Sequence, residues 1–140
     1  MAEYIERWEK PGELFARIVQ TTVNGTPTDI EVLATDELEE LSSDTAFLYI
    51  VDVNVYGTNG ALTKTGSFRL QTIFEIDGAV AAIVGRKTFT FNQSDDGDIA
   101  IDLSASGADI TLKVTGLASY TMYWLADRRI IRIQKEEDVE

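Results

Sequence analysis

The chain has 140 residues, with 24 Asp+Glu against 12 Lys+Arg and a formal charge of -12. That length fits one domain able to bury about two-thirds of its unfolded surface, and 44% hydrophobic residues separate it from a disordered acidic tail. It contains neither His nor Cys, which excludes Ser-His-Asp and Cys-His catalysis and argues against zinc.

Residues 1–13 read as an amphipathic N-terminal arm carrying Tyr4, Ile5 and Trp8 and ended by Pro11-Gly12. From there to residue 134 the dominant signal is apolar–polar alternation with period two, the mark of half-buried strands. A first strand covers about residues 14–22 and stops before Asn24-Gly25 and Pro27. Thr35 to Leu41 reads as one helical turn or an acidic loop, with Asp36 as N-cap and Glu39 at the capping-box position. The stretch Asp36–Asp44 carries five carboxylates and no base, read as a solvated segment or a contact for a basic partner.

Phe47, Tyr49, Val51, Val53 and Val55 make the clearest strand, closed by a hairpin turn at Asn59-Gly60. Phe68, Leu70, Phe74 and Ile76 share one parity, and Asp77-Gly78 separates that strand from one over Ala79–Phe91. The Asp95–Asp98 cluster precedes Ile99, Ile101 and Leu103; it reads as an ordinary turn, with calcium as the alternative, although EF-hand spacing is missing. Ser106-Gly107 leads into Ile110, Leu112 and Val114, and Gly116 closes that strand. Met122, Trp124 and Ala126 then share a face, after which Ile131 and Ile133 take the other parity. That switch predicts a bulge or bend at Arg128-Arg129. The residues from Lys135 to Glu140 form an acidic C-terminal tail. About eight strands at this spacing predict an all-β fold, an antiparallel β-sandwich of jelly-roll-like form over residues 14–134.

Chemistry is sparse in this pattern. Paired carboxylates for glycoside hydrolysis survive the lack of His, but 24 acids bring some pair together by chance and no reaction motif accompanies them. The expectation is therefore a non-enzymatic protein with no cofactor and no metal. The charge of -12 disfavours nucleic acid and anionic membranes. No apolar run approaches the roughly 20 residues of a membrane span, and the charged N-terminus does not read as a signal peptide. The protein is expected to stay in the cytoplasm, or to leave it by lysis or inside a particle. Arg128, Arg129, Arg132 and Lys135 read as partners for acidic segments. Among the aromatics, Trp124 is expected in the core, whereas Tyr120 and Tyr123 are candidate glycan contacts.

The order of motifs adds a resemblance. Gln20-Thr21-Thr22, then Thr26-Pro27-Thr28, the Ser67-Phe68-Arg69 strand and the closing Val114-Thr115-Gly116, Tyr120-Thr121 and Trp124 follow one another over residues 15–134. This series resembles the β-sandwich domain of structural proteins of tailed bacteriophages, found in capsid-decorating proteins and in head or tail fibres. The resemblance implies a virion structural protein assembled in the host cytoplasm, decorating the capsid or forming a short head or neck appendage. The short arm, with no long stalk before it, favours that role over a fibre tip. The alternative is a tail-fibre or receptor-binding module recognising a host surface glycan through Tyr120 and Tyr123. Other virion proteins are the implied partners, together with self-association into a homo-oligomer, a trimer being the symmetry common in such appendages. Tyr4, Ile5 and Trp8 are the candidate assembly interface.

Overall fold

Alternating sequences satisfy their backbone groups only by pairing with other strands, and here the pairing produces two antiparallel sheets. The computed structural model describes residues 4–10, 13–34, 46–77, 80–107 and 109–133. Among these it forms nine strands and no helix: β1 (Tyr4–Lys10), β2 (Glu13–Thr22), β3 (Thr28–Ala34), β4 (Ala46–Asn59), β5 (Thr65–Asp77), β6 (Val80–Ser94), β7 (Ala100–Ser106), β8 (Asp109–Thr115) and β9 (Met122–Ile133). One sheet runs β1-β2-β9-β4-β5-β6 and the other β3-β8-β7. The all-β sandwich expected from the alternation is present. Its strands divide six and three, whereas a jelly roll builds eight strands from two Greek keys. The predicted acidic loop at 35–44 and the tail at 135–140 lie outside the described residues.

The core lies between the sheets. Ile18, Val53, Leu70, Trp124 and Ile130 face inward from the larger sheet, and Ile30, Leu103, Leu112 and Val114 meet them from the smaller one. Each such side chain contributes roughly 1.5–3 kcal/mol when fully buried. Trp124, the largest, fits because it lies across from Gly57 on β4. A Cβ at position 57 would come within 2.6 Å of the indole ring. The indole Nε1 donates to Thr22 Oγ1 at 3.0 Å, which satisfies its one polar atom inside the core.

Two local expectations are refined. Within the N-terminal arm read over residues 1–13, residues 4–10 pair along β2 from Tyr4↔Val19 to Lys10↔Glu13 and form an edge strand. No bulge occurs at Arg128-Arg129, because β9 keeps uninterrupted register with both β2 and β4. Met122, Trp124, Ala126, Arg128 and Ile130 all lie on the buried face. The parity switch in the sequence arose because a core position holds an arginine. Arg128 Nε donates to Glu31 Oε1 at 2.8 Å and its Nη2 to Oε2 at 2.5 Å. Arg7 of β1 adds a bond to the same carboxylate at 3.1 Å. Glu31 reaches this position through a register shift in β3 between Asp29 and Glu31. That shift buries Ile30 and Glu31 in succession and hides the strand from a period-two reading.

A candidate glycan-binding cleft on the outer face

The outer face of the larger sheet is left uncovered by the smaller sheet, and near the β4–β5 hairpin it forms an open cleft of about 1090 Å³. This is slightly above the roughly 300–1,000 Å³ usual for small-ligand sites. Register explains the lining. Tyr56 of β4 lies opposite Leu125 of β9 and Ser67 of β5, while Tyr123 of β9 lies opposite Thr58 of β4. The two tyrosines are therefore diagonal neighbours on one face, a separation that long side chains span. About half of each is solvent-exposed, 49% and 51%. Val19, Leu62 and Leu125 supply further apolar surface, and Asn92, Gln93 and Asp95 line the β6 side. A smaller depression with Asn54, Arg69 and Phe91 continues from Tyr56 and Ser67.

The hairpin that forms one wall is held by Asn59. Its Oδ1 accepts from the backbone N–H of Thr63 at 2.9 Å and of Lys64 at 3.1 Å, and its Nδ2 donates to Thr63 Oγ1. Within this turn Leu62 adopts φ 59°, a left-handed conformation that costs an L-residue roughly 1–2 kcal/mol. It holds its side chain 71% exposed. The opposite wall is fixed by Asp95, whose Oδ2 accepts from both the backbone N–H and the hydroxyl of Thr65 at 2.9 Å. Asp96 Oδ1 accepts from the N–H of Asp98 at 3.0 Å. The acidic turn at Asp95–Asp98 thus uses its carboxylates to order itself and the neighbouring hairpin.

Charge at the cleft border is matched. Arg17 forms a two-point pair with Asp127 at 2.8 and 3.2 Å, and hydrogen bonding to Asp127, followed by its charge, raises the Arg17 pKa above its ordinary value. Arg69 Nη2 lies 3.3 Å from Asp52 Oδ2. Lys64 Nζ lies 3.8 Å from Asp96 Oδ2 and 5.9 Å from the centroid of the Tyr120 ring.

Of the two tyrosines predicted as glycan contacts, Tyr123 lines the cleft, whereas Tyr120 sits in the β8–β9 loop beside Lys64 and is not among the lining residues. Tyr56 was missed. Its signal was an aromatic on the parity opposite Val53 and Val55, where a polar residue is usual. The predicted assembly residues separate: Tyr4 and Trp8 share the parity of β1 that lies with Val19 and Phe15, and Ile5 lies on the other, opposite buried Ile18. Trp8 stacks on Phe15 with ring centroids 5.5 Å apart and planes 3° from parallel.

No family model and no curated protein matches the chain. Two solved structures similar to it are tailspikes. The tailspike protein gp49 of Acinetobacter baumannii bacteriophage Fri1, a capsular polysaccharide depolymerase, matches 92% of this chain at 11% identity and TM-score 0.45. The tailspike of Acinetobacter baumannii phage AM24 matches 88% at 11% identity and TM-score 0.40. The chain spans only 21% and 27% of those proteins. The expectation of a non-enzymatic protein is withdrawn, because the Fri1 neighbour is a depolymerase.

Proposed function

We propose that this chain is a glycan-recognition module of a bacteriophage tail appendage, which contacts the host surface through the cleft around Tyr56 and Tyr123. The cleft carries the reading. Two half-exposed aromatic rings next to amide, hydroxyl and carboxylate groups provide stacking surface for sugar rings together with hydrogen-bond partners for their hydroxyls. Of the two roles expected from the sequence, recognition accounts for this cleft; capsid decoration needs a lattice contact and leaves it without a use. The phage setting rests on the motif series over residues 15–134. Assembly with other virion proteins and with further copies of the chain belongs to the same proposal, with Tyr4 and Trp8 on the outer face of β1 as the contact. The decisive experiment is a bacterial glycan array probed with the wild-type chain and with Tyr56→Ala and Tyr123→Ala. Selective binding that both substitutions abolish supports the module. Absence of binding across the array, or binding indifferent to both tyrosines, refutes it.

A further inference from the structure

We infer that the cleft selects uncharged glycans bearing apolar substituents, such as acetamido or deoxy methyl groups, and rejects sugars that carry carboxylates. This deepens the glycan-recognition reading and rests on it. The first observation is electrostatic. Among the described residues no Lys or Arg lines the cleft, and Asp95 is the one carboxylate there. The three cations at its border are already engaged: Arg17 by Asp127, Arg69 by Asp52 and Lys64 by Asp96. A free guanidinium or ammonium group is the strongest partner for a sugar carboxylate, and in its place an acidic sugar meets Asp95 on a chain of net charge -12. Like charges brought together in a partly desolvated site repel.

The second observation is independent of charge. Leu62 is held at φ 59° and 71% exposed over the cleft. The left-handed conformation works against stability, and strained residues concentrate at ligand clamps. With Val19 and Leu125, Leu62 gives the cleft an apolar side on which a methyl group can rest, beside the hydrogen-bonding side formed by Asn92 and Gln93.

The test uses native acidic bacterial polysaccharides and the same polymers after carboxyl reduction, together with neutral acetamido- and deoxysugar polymers. The full chain should bind neutral and carboxyl-reduced members at least tenfold more tightly than the native acidic ones. Gln93→Lys, which places a cation in the lining, should remove most of that preference. Leu62→Asn, a residue that tolerates positive φ, should lower affinity for acetamido and deoxy polymers about tenfold without lowering the melting temperature. Equal binding of acidic and reduced polymers overturns the selectivity while leaving the glycan module standing. Binding of none of them overturns both. Unchanged affinity in Leu62→Asn removes the apolar subsite.

Discussion

Removing the Glu31 carboxylate is the sharpest test of how the two sheets are joined. The side chains of Glu31 and Arg128 are 4% and 3% exposed, and Arg128 Nη1 already has no hydrogen-bond partner among the described residues. Glu31→Ala therefore strands a guanidinium inside the sandwich. Breaking a buried pair from one side costs about 3–5 kcal/mol, a large part of the roughly 5–15 kcal/mol that stabilises a domain. In urea, with a slope of about 1–3 kcal/mol per molar, the midpoint should fall by at least about 1 M. Arg7→Ala should behave differently, because that side chain is 45% exposed; a loss of about 0–1 kcal/mol is expected. Replacing both partners, as Glu31→Leu with Arg128→Met, should recover most of the stability, since an apolar pair needs no charge compensation. Equilibrium urea unfolding of the wild type, Glu31→Leu, Arg128→Met and the double variant closes the cycle. A Glu31→Ala loss below 1 kcal/mol, or single losses that simply add in the double variant, would refute the assignment of a coupled interior pair.

Five further substitutions probe the core and the outer face. Gly57→Ala pushes a methyl group against the Trp124 indole; thermal unfolding should show a loss of about 1–3 kcal/mol from overpacking, and no loss would mean that the indole has room to move. Thr22→Val preserves shape but leaves the indole N–H without its acceptor, so chemical denaturation should register about 1–3 kcal/mol. Trp8→Ala removes the stack on Phe15, worth about 0.5–1.5 kcal/mol beyond its buried area; faster amide exchange confined to β1 and its pairing with β2 is the expected signature, and a uniform change across the chain would argue against a local effect. Tyr56→Ala and Tyr123→Ala, both at half-exposed positions, should change stability by no more than about 0.5 kcal/mol.

Alternation made most of the strands legible. Val51, Val53 and Val55 on β4, Ile101 and Leu103 on β7, and Ile110, Leu112 and Val114 on β8 are all buried as their parity indicated. The turns were legible for chemical reasons, as at Asn59, whose side chain organises the β4–β5 hairpin, and at Gly107, which has φ 55° in the β7–β8 hairpin. Elements that depart from strict period two were harder. β3 carries a register shift at Glu31; the strand over Ala79–Phe91 was legible, but not the two shifts through which β6 pairs with β5. β1 was hidden because a short amphipathic segment carries no sign of whether it has a partner strand.

What the sequence determined by itself is local: where strands run, which face of each is apolar, where the chain turns, and a charge of -12 that disfavours binding to phosphate backbones. What only the tertiary structure decided is non-local. The insertion of β9 between β2 and β4 brings Arg128 to Glu31 across 97 positions and Trp124 to Thr22 across 102. It also sets Tyr123 beside Tyr56 on the outer face. Period two fixes the side of a strand on which a residue points, but it carries no information about which strand lies alongside. An arginine that read as a partner for acidic segments thus became half of a core pair with Glu31, and two tyrosines far apart in the chain came to line one cleft.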